Sequence, residues 1–397
     1  MPFAVNAMRR VYAHAAVQAF VEASGGIFIV GFLASRGLSY PAALASFAAI
    51  LLSRFAMRGA VLPLARRQGL KAVVLAGIAV RAAGFLMLPF VTDVGPMLAL
   101  FVIVTGFGSV LYWTGWHAFA SALGDSATGG RQVSIQQATT AVVGIAAPVV
   151  GGFLLARAGA LTGFAAIAWI QAMGALPLLR APNPRVAEGV VLDRALTRFA
   201  RRLYFAEGFG TGCAVVIWNL ALFAALGERF EAFGGALALA GLAAAAGSLV
   251  IGRLIDGGHP LRSVALAYGA AALAIAVKAG VVAAGSPAAL AIGATALGAL
   301  VMPMTATAML APLYAMARHS NCTLRFNMVT EGGWDLGCSA ACLAAAAALH
   351  AGAGFAVPIL TGLVAVATIA ALLRRWYRGG DQISEESTTG RLSRVPR

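Results

Sequence analysis

Four carboxylic acids lie inside long apolar stretches of the sequence, where an ionisable side chain is costly and therefore a functional candidate. Glu331 and Asp335 are four residues apart, and Asn327 comes four residues earlier, so a helix places all three on one face. Two carboxylates that close do not both ionise easily where the dielectric constant is low. The pair therefore predicts a site that binds a proton.

The other two acids, Glu22 and Glu207, have matching surroundings. Each follows a Phe by two residues and precedes a Gly by three, which indicates an internal repeat. Gln18 shares a helix face with Glu22. A carboxylate at either position can bind a cationic substrate, carry a proton, or simply hydrogen-bond to a neighbouring helix.

The composition determines which elements hold these acids. The 397 residues are 60% hydrophobic and 11% charged, with a mean hydropathy of +0.86, whereas soluble domains are about 25% charged. The chain is therefore predicted to be an all-α integral membrane protein with the lipid bilayer as its solvent. The Lys and Arg residues that give the chain its net charge of +15 lie between apolar runs and not on one basic face, so we predict no nucleic-acid partner.

Twelve apolar runs are long enough to cross a bilayer, which takes about 20 residues. We number them spans 1 to 12: 11–34, 40–62, 70–91, 95–118, 132–157, 160–179, 203–226, 233–254, 262–284, 287–316, 324–349 and 354–376. With alternating topology, one side carries most of the Lys and Arg, and the other has only Arg36, Arg157, Arg229 and Lys278 near a helix end. This bias predicts a multi-pass protein of the plasma (inner) membrane with both termini in the cytoplasm.

A basic segment divides the spans into two sets of six. Residues 180–202 carry six arginines with one Glu and one Asp, and they are predicted to form a cytoplasmic linker. The predicted organisation is a six-helix bundle over 1–179, this linker, and a second bundle over 203–378. The polar segment 379–397 is predicted to be a disordered cytoplasmic tail, part of which can be a remnant of cloning.

Two loops carry a further signal. The loop between spans 8 and 9 has Gly252 and Asp256 followed by basic residues, similar to the G-x-x-x-D loop signature of the major facilitator superfamily. The loop between spans 2 and 3 keeps a Gly and basic residues, but it has Arg66, followed by Arg67, where the family has Asp.

Span 5 contains a third motif. Its residues 144–152 end in Pro148, two Val residues, Gly151 and Gly152, which looks like the family's G-P-x-x-G-G "antiporter" motif with Ala147 in place of a Gly. With the repeat and the number of spans, these motifs make the chain resemble the major facilitator superfamily over nearly its whole length.

The resemblance implies two pseudo-symmetric six-helix bundles (6+6) with spans 1, 4, 7 and 10 around a central cavity. The expected cavity residues are Gln18, Arg54, Trp113, Gln137, Asn219, Asn327 and Trp334. The expected cytoplasmic gate residues are Arg66, Arg67, Gly252, Asp256 and Arg325, although Arg325 could also simply snorkel.

Other charged and aromatic residues have less specific interpretations. Arg54 and Arg81 could contact an anionic group, but pairing with Glu22 or another acid is favoured. Arg58 is expected to snorkel. An interfacial aromatic belt explains Tyr112, Trp113, Trp116 and His117 at least as well as a substrate cage does.

The leading hypothesis is a secondary transporter that moves a small organic solute by alternating access. Intramembrane carboxylates favour protons as the coupling ion, and the span 5 motif favours efflux by antiport. One alternative is proton-coupled uptake of a nutrient or metal chelate, and another is a non-transporting receptor or assembly protein. No catalytic, cofactor or metal motif stands out, so we expect neither an enzyme nor a cofactor. The expected partners are the bilayer, the solute and protons, and the chain is expected to be a monomer.

Overall fold

The computed structural model describes residues 2–123, 142–186, 192–255, 260–319 and 322–388, and within these ranges every regular element is a helix. Gln137 and Asp256, predicted for the cavity and the gate, lie outside the described residues. A helical chain suits an apolar solvent, because a helix satisfies its own backbone hydrogen bonds where no water is available.

The described residues of the first half form nine α-helices. They are α1 (Pro2–Ser24), α2 (Ile29–Ser35), α3 (Tyr40–Met57), α4 (Val61–Gln68), α5 (Leu70–Met87), α6 (Pro96–Leu123), α7 (142–153), α8 (Gly159–Met173) and α9 (Leu176–Leu179). Short 3₁₀ turns at Gly26–Phe28 and Arg58–Ala60 join α1 to α2 and α3 to α4, so each of these pairs forms one span.

Seven α-helices are present in the part of the second half that the structure describes. They are α10 (Arg194–Thr211), α11 (Trp218–Ala225), α12 (Phe230–Ile255), α13 (Pro260–Ala283), α14 (Ala288–His319), α15 (Thr323–His350) and α16 (Ala356–Thr388). A π-helical turn at Gly212–Ile217 joins α10 to α11 within span 7.

The described part of the chain has ten segments long and apolar enough to cross a membrane, together with the shorter apolar helix Phe230–Ala245. One of the ten, Val142–Leu179, folds back on itself. Gly159 has φ 78°, and Gly163 then lies against Leu154 and Leu155. The described parts of all twelve predicted spans are therefore helical.

The spans alternate between two ends of the bundle. We call the end where α1 begins and α16 ends the terminal face, and the end where α2 ends and α3 begins the distal face. Side-chain contacts support this alternation. At the distal face, the Tyr40 ring lies 5.4 Å from that of Phe355, and the Arg157 side chain pairs with Glu231.

In the part of the chain that the structure describes, buried apolar residues form three clusters that show how the halves meet. The largest cluster contains residues of both halves, and aromatic contacts such as Phe28 with Phe233 lie within it. The second is built from the first half apart from Cys322 and Leu324, and the third contains only residues of the second half. The halves therefore pack together towards the distal face and form separate cores towards the terminal face.

Two predicted boundaries differ from the structure. The linker does not extend to residue 202, because α10 already begins at Arg194, where the Asp193 side chain accepts hydrogen bonds from backbone N–H groups of the first turn. The tail is not irregular throughout, since the backbone of 379–388 continues α16. Each residue added to an existing helix gains a hydrogen bond without a new nucleation step, so polar residues can extend it.

The start of the linker is fixed to the loop between spans 2 and 3. The Asn183 side chain accepts a hydrogen bond from the Lys71 backbone N–H at 3.0 Å and donates one to the Gln68 carbonyl at 2.8 Å. The Lys71 ammonium also donates to the Ala181 carbonyl at 2.9 Å.

Candidate functional site

A cavity of about 1100 Å³ lies between the two halves. Its lining comes from spans 1, 2, 3 and 4 of the first half and from spans 7, 8, 10 and 11 of the second. The lining reaches Val11, Ser121 and Ala317 near the terminal face, while the apolar cluster shared by both halves blocks the distal face. The cavity therefore opens towards the terminal face.

On the wall formed by the first half, Glu22 is paired with a cation. It forms an ion pair with Arg81 of α5 and accepts a hydrogen bond from the Gln18 amide at 2.8 Å. Arg81 also donates to the Ser109 hydroxyl at 3.1 Å, and its guanidinium lies 5.3 Å from the centre of the Tyr112 ring. The favoured pairing of Arg81 with Glu22 is thus observed.

On the wall formed by the second half, Glu207 has only neutral partners among the described side chains. Its carboxylate accepts a hydrogen bond from the Thr211 hydroxyl at 3.0 Å, and the Trp334 side chain lies beside it. No described Lys, Arg or His side chain lies within ion-pair distance of it. The repeated Glu therefore has a different electrostatic setting in each half.

Glu331 and Asp335 belong to a buried ionic cluster that joins α3 and α15. Arg54 lies 2.8 Å from Asp335, and Arg58 contacts both acids, at 3.1 Å from Glu331. Two guanidinium groups therefore lie beside the two acids. Their positive charges offset the repulsion between the carboxylates, so the closeness of the acids no longer favours a shared proton.

Two side chains from α6 complete this cluster. The Thr114 hydroxyl accepts a hydrogen bond from Arg58 at 2.9 Å, and the His117 ring lies 2.6 Å from Glu331. The prediction that Arg58 snorkels is wrong, because its side chain is 6% exposed and bound within the protein. A lipid-facing belt is also wrong for Tyr112 and Trp116, which are buried.

Most of the expected cavity residues line the cavity. Arg54, Trp113, Asn219, Asn327 and Trp334 do so, as do Glu22, Glu207 and Glu331. Gln18 and Asp335 are buried behind the lining, where they contact Glu22 and the two arginines. Sequence spacing could place these residues on helix faces, but not decide which of them reach the cavity.

The expected gate residues lie at helix ends. Arg66 and Arg67 are exposed in the last turn of α4, Gly252 lies near the end of α12, and Arg325 is half-buried in the first turn of α15. These helix ends all lie towards the terminal face.

The span 5 motif lies where neighbouring backbones approach closely. A Cβ atom added to Gly151 would lie 2.1 Å from the Ser24 carbonyl oxygen of α1, and one added to Gly152 would lie 2.4 Å from the Phe230 carbonyl oxygen. On the facing helix α12, a Cβ added to Gly234 would lie 2.3 Å from the Pro148 carbonyl oxygen. The motif thus packs span 5 against spans 1 and 8, and the contact with span 8 crosses between the halves.

Lys278 was not identified as a site residue from the sequence. Its ammonium is buried, donates to the Ala214 carbonyl in the π-helical turn at 2.8 Å, and lies 5.0 Å from the centre of the Trp218 ring. Its position several residues before the end of an apolar run was the signal that could have identified it.

No protein-family model matches the sequence, and no curated protein matches it significantly. Solved structures do match. A POT family transporter, PepTSo, superimposes with a TM-score of 0.68 at 12% identity, covering 94% of this chain and 98% of that one. A bacterial homologue of the iron transporter ferroportin in an inward-facing state gives 0.69 at 12% identity, with 94% and 98% covered.

A mutant of the nucleoside transporter NupG gives a TM-score of 0.66 at 12% identity, and the match covers 93% of this chain and 99% of that chain. All three matches extend over both halves of the bundle. The chain therefore has the fold of the major facilitator superfamily.

Proposed function

We propose that this protein is a secondary transporter that moves a small organic solute by alternating access. The observation that carries the proposal is the cavity between the halves, which is closed at the distal face and open at the terminal face. A site at the interface of two bundles becomes accessible from the other side when the bundles rock about it. The similarity to a POT family transporter, a bacterial homologue of the iron transporter ferroportin and a nucleoside transporter supports the same class of function.

The orientation follows from the basic residues. Arg9, Arg10, Arg66, Arg67 and Lys71 all lie towards the terminal face. Because cytoplasmic loops are enriched in Lys and Arg, the terminal face is on the cytoplasmic side of a plasma (inner) membrane, and the cavity is open to the cytoplasm.

Protons are the proposed coupling ion, with Glu22, Glu207, Glu331 and Asp335 as the acids involved. Of these, Glu207 is the strongest candidate, because the other three have an arginine within ion-pair distance. An ionised carboxylate without a cation becomes costly when the bundles close the cavity to water, so a proton or a cationic solute is expected to neutralise it before closure.

Direction is proposed as efflux by antiport, because the span 5 motif lies in close contact with α1 and α12. Proton-coupled uptake of a nutrient or metal chelate is the alternative, since Arg54 and Arg81 also line the cavity and could meet an anionic group. The cavity residues bind the solute in either case, while Arg66, Arg67, Gly252 and Arg325 serve the gate. The transporter works as a monomer without a cofactor.

Purified protein in liposomes that contain a pH-sensitive dye tests this function. We expect an imposed gradient of a transported solute, chosen from a panel of organic cations, zwitterions and anions, to drive proton movement in the opposite direction. Movement of protons and solute in the same direction would support uptake instead. Solutes that bind without any flux, in either direction of the pH gradient, would contradict transport. Liposomes without protein provide the baseline.

A further inference from the structure

We propose that the solute is a lipophilic organic monocation, and that its positive charge occupies the place of a proton at Glu207. This inference rests on the proposed function, because it names the class of solute that the same cavity takes. It follows from three features of the cavity: the balance of its charges, the nature of its walls and the surroundings of Glu207.

The charges that line the cavity cancel, with one exception. Arg81 is paired with Glu22, and Arg54 is paired with Asp335. Glu331 is bound by Arg58 and His117. Among the described acids that line the cavity, only Glu207 has no cation within ion-pair distance, so its carboxylate is the one negative charge of the lining left to neutralise. A solute with a single positive charge satisfies that requirement, whereas an anion would add a second uncompensated charge.

The walls suit an organic body attached to that charge. Aromatic rings line the cavity on both sides, including those of Trp113 in the first half and Trp334 and Phe326 in the second. Aromatic faces attract cations, and they also bury apolar surface. The Trp334 side chain lies beside Glu207, so an aromatic ring is next to the acid.

No described ammonium or guanidinium group lies within ion-pair distance of Glu207. The buried ammonium of Lys278 in α13 is bound to the Ala214 carbonyl, seven residues further along span 7, and does not line the cavity. The titratable groups that face it from other helices are the Tyr268 hydroxyl of α13 and the Cys338 thiol of α15. The α16 arginines Arg374 and Arg375 are exposed near the terminal face, and the guanidinium of Arg54 lies over the Trp334 ring while it contacts Asp335. From α14, Met309 and Leu313 contribute apolar surface.

Because the solute and the proton bind to the same acid, Glu207, the ratio in which they are exchanged is fixed. Each proton or monocation neutralises the same carboxylate, so the two cannot occupy it together. When the solute binds, the proton leaves Glu207, and when the solute is released, a proton returns. One monocation is therefore exchanged for one proton, with no net charge moved, and the rate should not respond to membrane potential.

Equilibrium binding tests the inference without requiring transport. The probes are tetraphenylphosphonium and tetraphenylborate, which have the same shape and opposite charge, and the protein is the full chain in lipid nanodiscs. We expect wild-type protein to bind the phosphonium but not the borate. As the pH is lowered through the range in which Glu207 is protonated, the affinity for the phosphonium should fall about tenfold per pH unit. We expect Glu207→Gln to lose at least about tenfold in phosphonium affinity, equivalent to about 1.4 kcal/mol, together with the pH dependence.

Asp93→Asn is the matched control. It also removes one carboxylate, but from the exposed loop between spans 3 and 4, so binding should be unchanged. Glu207→Asp retains the charge and should retain a pH-dependent affinity. If Glu207→Gln does not fold, the pH dependence in wild-type protein and in Glu207→Asp still decides the matter.

Equal binding of the two probes, phosphonium binding that Glu207→Gln does not change, or wild-type affinity that is independent of pH would each overturn the inference. Transport of zwitterions or anions with no phosphonium binding would likewise overturn it, but would leave the transporter proposal standing. Phosphonium binding without flux of any solute would support the site and contradict the proposed function.

Discussion

The guanidinium group of Arg54 in α3 lies 2.8 Å from the carboxylate of Asp335 in α15, and the Asp335 side chain is completely buried. The contact joins the two halves of the bundle at a point where Arg58 and Glu331 form a second bridge. A transporter of this architecture must keep or break such bridges as its halves move, so the energy of the cluster bears directly on the conformational change.

The ionic cluster should behave as one unit. Asp335→Leu leaves two arginines opposite one acid, and we expect a loss of about 3–5 kcal/mol, because a buried charge is left without its partner. The double variant Arg54→Leu with Asp335→Leu keeps the bridge from Arg58 to Glu331 and should be more stable than Asp335→Leu alone. Thermal unfolding of the four proteins in a double-mutant cycle measures the coupling. Strictly additive losses would show that the two groups do not interact.

The close approach of span 5 to span 1 can be tested with a single methyl group. Gly151→Ala places a Cβ 2.1 Å from the Ser24 carbonyl oxygen, so a backbone must shift, and we expect a loss of roughly 1–3 kcal/mol. Gly144→Ala, seven residues earlier in α7, meets no atom within 4 Å. It should be neutral or stabilise the helix by up to about 1 kcal/mol, because Ala is the better helix former. Equal melting temperatures for the two variants would contradict the packing.

The cavity should be accessible from the terminal face only. In a background with the four native cysteines replaced, we would compare Ser121→Cys, exposed near the terminal face, with Ala236→Cys, in the apolar cluster of the distal side. A membrane-impermeant maleimide should label Ser121→Cys from the cytoplasmic side at least about tenfold faster, the equivalent of about 1.4 kcal/mol or more. Faster labelling of Ala236→Cys from outside would mean that the opposite conformation predominates.

One hydrogen bond at the distal face should contribute to that preference. The Tyr40 hydroxyl donates to the Glu228 carboxylate at 2.6 Å and connects span 2 to the loop after span 7. Tyr40→Phe removes the bond, at a cost of about 0.5–1.5 kcal/mol to the closed distal face. This should raise the labelling rate of Ala236→Cys by roughly twofold to tenfold. Glu228→Gln keeps an acceptor oxygen and should have a smaller effect. An unchanged rate in Tyr40→Phe would show that the bond does not hold the face closed.

The sequence by itself determined the membrane class, the positions of the spans and the resemblance on which the fold was predicted. These follow from local properties, because about 20 consecutive apolar residues must form a helix wherever the bilayer is the solvent. The repeat around Glu22 and Glu207 was also visible in the sequence, since it depends only on spacing. So were the acids of span 11, because a charged residue in an apolar run is conspicuous whatever it contacts.

Only the tertiary structure decided which charges balance one another. Arg58 was expected to reach the lipid surface, but it contacts Glu331, 273 residues later in the chain. Glu22 and Glu207 have matching local sequences, but only Glu22 lies beside an arginine, because Arg81 comes from another helix. Pairing depends on which faces of distant helices meet, and that is set by packing over the whole bundle. Among the described acids that line the cavity, only Glu207 has no cation within ion-pair distance, and the solute inference depends on that difference, which could not have been identified without the packing.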